Sequence, residues 1–217
     1  MKNILLYGDS ITWGFNPDFT CRDDLRFVRD DRWGGVLQRE LGGEYCIIEE
    51  GLGGRTTTLE DPAALGRSGL ALLIPIIQSH QPLDLLVFLL GTNDMKNTYH
   101  ASAADICRGM ELVVQAALCP YAWDTRMPPK ILMISPPHIH DTSVYDFIDA
   151  SSAKKSLQLA AHYRQLAGDY DCAFLDAAQI TEPSDWEGLH LNRAGHTTLG
   201  LAVTEEVRRL MEPTGRA

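Results

Sequence analysis

Residues 4–12 read Ile4-Leu5-Leu6-Tyr7-Gly8-Asp9-Ser10-Ile11-Thr12. Four apolar residues in succession, closed by Gly-Asp-Ser, predict a short buried strand that ends in a tight turn carrying Ser10. A strand without polar alternation is covered on both faces, as in parallel sheets flanked by helices. Open α/β sheets bind ligands outside the carboxyl ends of their strands, which is where Ser10 is expected.

Outward from this segment, apolar runs at 45–48, 85–90, 131–134 and 173–175 have strand length, and the stretches between them carry helical periodicity. Trp33, Val36, Leu37 and Leu41 fall at helical spacing ahead of Gly42-Gly43, a natural stop. A further helix is predicted from about 151 to 167, and a last one from Asn192 as N-cap to about Leu210. This β-α-β rhythm implies the α/β class, a parallel sheet covered on both faces with right-handed crossovers. Three long connections, 15–31, 119–129 and 136–150, interrupt the rhythm. The first and third leave the carboxyl edge of the sheet, on the side of Ser10, and are expected to wall a pocket. The second precedes a strand and belongs on the opposite edge. With 217 residues and 45% hydrophobic content, a single domain over 1–217 is expected.

The formal charge is −10 and Lys and Arg form no cluster, which argues against a nucleic-acid partner. No apolar stretch exceeds a core strand, and no small-residue cleavage site follows Met1-Lys2-Asn3. Neither a membrane partner nor export is expected, and the expected location is cytoplasmic. Cys21, Cys46, Cys107, Cys119 and Cys172 form no C-x-x-C pair, and an odd number does not suit a disulfide framework, so buried thiols are expected. His138-Ile139-His140-Asp141 offers three ligand types in four residues, yet no second pair at metal spacing supports it. The stretch reads as a polar loop, with no metal expected. Gly51-Leu52-Gly53-Gly54 is not the G-x-G-x-x-G of a dinucleotide site and follows the second strand, so a dinucleotide-binding reading fails. No cofactor is expected.

Four short motifs lie in order: GDSIT at 8–12, GLGGRTT at 51–57, GTND at 91–94 and EGLH at 187–190. One Gly-Asp-Ser is most often an ordinary turn; four such motifs in sequence point to a nucleophile and its machinery. A serine hydroxyl is a weak nucleophile until a base takes its proton, and His190, just before the last helix, is the base expected for Ser10. His196, further along that helix, is a rival that reads better as a surface or packing residue. The imidazole needs a carboxylate to fix its tautomer. Glu187 stands three residues upstream, Asp185 is the alternative, and a Ser-His dyad with both acids solvated is the third reading. Gly54, lacking a Cβ, lets a substrate approach a backbone N–H; Gly53-Gly54 and Asn93 are otherwise turn residues. Asp9 and Asp94 each follow a strand and are assigned to bracing the nearby loop amides. Arg55 either orients a substrate or pairs with Glu49 or Glu50. Trp13, Lys96 and Leu189 adjoin the motifs and are candidates to line the acyl or alcohol pocket, with Trp13 equally suited to the core.

On these motifs the chain resembles the SGNH or GDSL-type hydrolases, whose four name residues match Ser10, Gly54, Asn93 and His190. The resemblance covers nearly the whole chain. The runs GDSITWG, IEEGLGGRTT, LDLLVFLLGTNDMK and MISPP look most like the bacterial arylesterase and acyltransferase branch. The resemblance implies a three-layer αβα sandwich with a five-stranded, flavodoxin-like parallel sheet. It also implies an oxyanion hole formed by the amides of Ser10 and Gly54 and the side-chain amide of Asn93. The fourth motif departs from the family pattern, which has Asp where this chain has Glu187. The implied activity is hydrolysis of small acetyl or aryl esters through an acyl-enzyme, with acyl transfer to alcohols beside it. Deacetylation of acetylated carbohydrates and non-catalytic ligand binding on the same fold are the alternatives. The expected partners are a small-molecule acyl ester and, through the long loops, a second copy in a homo-oligomer.

Overall fold

The five apolar runs form strands β1 (Lys2–Gly8), β2 (Tyr45–Gly51), β3 (Leu85–Leu89), β4 (Lys130–Ser135) and β5 (Ala173–Asp176) in the computed structural model, which describes residues 1–125, 127–141 and 144–212. Position 126 of the second long connection and positions 142–143 of the third lie outside the described residues. The strands make one parallel sheet in the order β2-β1-β3-β4-β5. This is the flavodoxin-like order that the resemblance implied. Between the strands run α1 (Ser10–Trp13), α2 (Trp33–Leu41), α3 (Gly69–His80), α4 (Ala103–Leu118) and α5 (Ala150–Asp169), and α6 (Arg193–Met211) closes the chain. Asn192 caps α6, its side chain accepting from the Gly195 N–H at 2.9 Å.

Alternation along each strand sorts the core into two layers. Leu5, Tyr7, Leu86, Phe88 and Met133 face α3, α4 and α5, meeting Leu73, Ile77, Met110, Val113 and Tyr163. Ile4, Leu6, Val87, Leu132 and Ile134 face α2 and α6, meeting Trp33, Leu37, Leu199 and Val203. Truncating one of these side chains, Leu86→Ala for instance, typically costs about 2–5 kcal/mol. The cysteines depart from expectation: all are free, but Cys21 is exposed and the other four are only half-buried, Cys107 and Cys172 packing at the margin of the first layer.

The register places Gly8, Gly51, Leu89 and Ser135 near one edge, since Gly8 pairs with Gly51 and Leu89, and Ser135 with Asp176. Chain segments leaving β1, β2, β3, β4 and β5 therefore emerge on one side. A Cβ at Gly51 would collide with the backbone of Thr12 and Trp13, so its lack of a side chain lets α1 settle against the end of β2. The described residues of the 119–129 connection lie at the other edge, where the Gln81 amide donates to the Ala122 carbonyl at 3.0 Å. Among the described residues no helix is long and apolar enough to cross a membrane.

Candidate active site

Ser10 is the first residue of α1, immediately beyond β1. Asp9 caps that helix, its Oδ1 accepting from the Ile11 N–H at 2.9 Å. Ser10 N–H falls in the first turn, where no intrahelical acceptor exists, and so stays available to an external one. Asp9 is fully buried; burial pushes its carboxyl up to about 6, against the opposing hydrogen bond from Ile11.

His190 comes from the segment between β5 and α6. That segment is folded on itself by Ser184 N–H donating to the His190 carbonyl at 2.7 Å and Gly188 N–H donating to the Ser184 carbonyl at 2.8 Å. Glu187, completely buried, reaches Nδ1 of His190 through Oε2 at 2.8 Å. Nε2 of the same ring lies 2.9 Å from Ser10 Oγ. A carboxylate on Nδ1 requires the proton there, so Nε2 presents its lone pair to the serine hydroxyl. The extra methylene of Glu187 is absorbed locally: Oε1 turns back to accept from Leu189 N–H at 3.2 Å and from His190 N–H. The nearby Tyr145 hydroxyl also favours the charged form of this carboxylate. Burial pushes the Glu187 carboxyl up, but the hydrogen bonds and charge of His190 outweigh it and hold the group below its ordinary value. Asp185 is exposed and lines a separate cavity with Thr181, Asn192 and Thr198. The carboxylate on His190 is thus Glu187, and neither Asp185 nor an acid-free dyad describes the geometry.

Leu52 to Arg55 form a turn closed by Arg55 N–H donating to the Leu52 carbonyl at 3.0 Å. Gly54 sits in it at φ +80°, a conformation that favours glycine. Asn93, in the short turn Asn93–Met95 after β3, donates one amide N–H to the Arg55 carbonyl at 3.1 Å. A primary amide carries two donor hydrogens, so one remains for an acceptor beside Ser10. Asp94 braces the site as expected, accepting from Thr57 N–H at 3.0 Å and from its hydroxyl at 2.6 Å. Burial pushes Asp94 to about 6.

Aromatic residues that the sequence did not single out flank the imidazole. Phe15, from the first long connection, and Tyr145, from the third, both contact His190. Phe19 packs edge-on against Phe15 at 5.8 Å, and Phe147 stacks on Tyr145 at 5.1 Å. Their only sequence signal is membership of loops assigned to the pocket side. Lys96 is held by Asp61 at 3.3 Å and lies 5.0 Å from the Phe147 ring. Leu189 is buried in the core layer under α3, α4 and α5, and Trp13 is half-buried with the Arg26 guanidinium 4.8 Å from its ring. His196 is a packing residue and no rival base: it is fully buried, accepts from Trp33 N–H at 3.3 Å, and meets Phe27 edge-on. Arg55 meets neither expectation as an ion pair, for Glu49 pairs with Arg32 at 3.3 Å and Glu50 with His80 at 2.7 Å. Among the described residues no group of three His, Cys, Asp or Glu side chains is placed to hold a metal ion.

The sequence pattern of the GDSL-like lipase/acylhydrolase family matches residues 6–198. The native aryl esterase of M. smegmatis is 36% identical, with 97% of this chain and 100% of that one covered at a TM-score of 0.90. A carbohydrate acetylesterase family member from Sinorhizobium meliloti is 35% identical, with 98% and 100% covered and a TM-score of 0.90. The lipase/acylhydrolase from Enterococcus faecalis, at 18% identity and a TM-score of 0.66 over both full lengths, shares the fold. No curated protein matches the chain.

Proposed function

This chain belongs to the GDSL-like lipase/acylhydrolase family and is a carboxylic ester hydrolase, and from that premise we propose that it cleaves small, short-chain acyl esters, acetyl and aryl esters foremost, through an acyl-enzyme on Ser10. The observation that carries this reading is the unbroken line from Ser10 Oγ to His190 Nε2 at 2.9 Å and from His190 Nδ1 to Glu187 Oε2 at 2.8 Å. In that line Nε2 removes the hydroxyl proton as Oγ bonds to the acyl carbon. Negative charge moves to the carbonyl oxygen, where the N–H groups of Ser10, Gly54 and Asn93 converge as donors; each such donor is typically worth about 2.7–4 kcal/mol in the transition state. The imidazolium, neutralised by Glu187, then protonates the departing alkoxide or phenoxide. Water enters, gives a proton to His190 and its oxygen to the acyl carbon, and the acid leaves as Ser10 recovers its hydrogen.

Chain length is set in this reading by the walls of Phe15, Tyr145 and Phe147, with Trp13, Lys96 and Leu189 completing the surround through their neighbours. Ser10 and His190 are each only 7% exposed, so an alcohol seated against the aromatic walls competes with water for the acyl group, and transfer accompanies hydrolysis. The test is release of nitrophenol from p-nitrophenyl acetate by the wild type, Ser10→Ala and His190→Ala. Both variants are expected to fall to near the uncatalysed rate while melting like the wild type. Substantial turnover by either one would refute the assignment.

A further inference from the structure

Arg55 is only 2% exposed, yet among the described residues no carboxylate lies within ion-pair distance of it. Its guanidinium instead binds backbone: Nη1 donates to the Gly8 carbonyl at 2.7 Å and to the Glu50 carbonyl, and the group lies 4.1 Å from the centre of the Tyr7 ring. Those carbonyls belong to the last residue of β1 and the next-to-last residue of β2. Gly8 precedes Ser10 by two residues, and its oxygen also accepts from Leu52 N–H at 3.1 Å, the first residue of the turn that presents Gly54. Arg55 closes that turn through its own N–H and holds the Asn93 amide through its own carbonyl at 3.1 Å. The guanidinium therefore ties the ends of the two strands together and anchors the backbone of residue 55, whose N–H closes the Gly54 turn and whose carbonyl holds the Asn93 side chain. Burial disfavours its charge, and its Nε is buried without an acceptor among the described residues, both of which are costs that a purely structural filler would avoid.

We propose that Arg55 is the positioning residue of the oxyanion hole, setting the Gly54 and Asn93 donors against Ser10. This rests on the reading of Gly54 and Asn93 as oxyanion donors. Donors preorganised toward developing charge lose their effect when displaced by a fraction of an ångström. Binding of the ground-state ester depends on them far less.

The test compares Arg55→Lys, Arg55→Met, Asn93→Ala and the double variant Arg55→Lys/Asn93→Ala, using p-nitrophenyl acetate as substrate and an alkyl trifluoromethyl ketone, whose serine adduct carries an oxyanion, as inhibitor. Arg55→Lys is expected to lower kcat by about 10-fold and Arg55→Met by about 100-fold, with KM nearly unchanged and ketone affinity falling in parallel with kcat/KM. Because Arg55 acts partly through Asn93, the loss in the double variant falls short of the product of the single losses. A residue that merely stabilised the fold would shift the melting temperature and leave kcat and ketone affinity alone; that result, or fully multiplicative losses, overturns the proposal. Should Arg55→Met not fold, Arg55→Lys decides. If Asn93→Ala keeps its kcat, the oxyanion reading itself fails and this inference with it, whereas a damaged Asn93→Ala beside an unaffected Arg55→Lys refutes only the role of Arg55.

Discussion

The ring of Phe15 lies against the imidazole of His190, with centroids 4.2 Å apart and planes inclined by 33°. On another side Tyr145 meets the same imidazole edge-on, at 6.0 Å and 84°. The base is thus held by loops that leave β1 and β4 as well as by Glu187. Holding a ring in place before the reaction removes an orientational cost from the barrier.

Phe15→Ala is expected to lower kcat by about 10-fold through a loosened imidazole, whereas Phe15→Tyr, which keeps the ring face, retains most activity. Steady-state kinetics beside thermal melting separates this from general destabilisation. Equal kcat in Phe15→Ala and wild type would mean that Glu187 alone orients the base.

Glu187→Gln is expected to cost about 10³–10⁴ in kcat while preserving the fold, because an amide cannot enforce the Nδ1 proton or stabilise the imidazolium. Glu187→Asp keeps the charge but not the reach, so it falls between. Asp185→Asn, at an exposed position, should be silent. The comparison of kcat values among the three variants checks the ranking, and a damaged Asp185→Asn would reverse it.

Much of this was legible in the chain. The strands could be read because each is a nearly unbroken apolar run, and burial on both sheet faces leaves that signature. Motif order placed Ser10, Gly54 and Asn93 after β1, β2 and β3 on one edge, and the three-residue spacing of Glu187 and His190 is a local contact. The aromatic neighbours were not legible, because Phe15 and Tyr145 approach His190 from loops separated from it by 175 and 45 positions in the sequence. Local spacing carries no signal for such contacts. Arg55 was undecided for the same reason: the sequence offered a substrate contact or an ion pair with Glu49 or Glu50, whereas the fold turns the guanidinium onto carbonyls. His196 lies at helical spacing with core residues of α6, but only the packing of Phe27 and Trp33 shows how deeply it is buried.

Acyl length offers a third expectation. With aromatic rings on two sides of His190, acetyl and propionyl esters should show a higher kcat/KM than octanoyl esters. A p-nitrophenyl ester series measures it, and a rate that climbs steadily to long chains would indicate an open, lipase-like groove.

Stability should depend on pH through three buried groups with opposing signs. Burial pushes His196 down from 6.5 to about 3, so the unfolded chain takes up a proton that the folded one refuses, and stability is lost as pH falls from about 6.5 toward 3. Burial pushes Asp9 and Asp94 up from 3.8 to about 6, so the folded chain binds protons more readily, and their contribution to stability falls as pH rises from about 4 to 6. In the wild type these trends oppose one another. His196→Asn, which keeps an acceptor for Trp33 N–H, removes only the first, and its melting temperature is expected to rise between about pH 6.5 and pH 4.5 relative to the wild type. Parallel melting curves for the two proteins across that range would show that His196 does not titrate as its burial requires.

The most direct measurement of the central claim is to quench the reaction with p-nitrophenyl acetate in acid within the first turnovers and locate the acetyl group by peptide mass spectrometry. One acetyl group per chain on the peptide containing Ser10, absent from Ser10→Ala, is the predicted result. Acetyl on another residue, or undiminished turnover by Ser10→Ala, would contradict it.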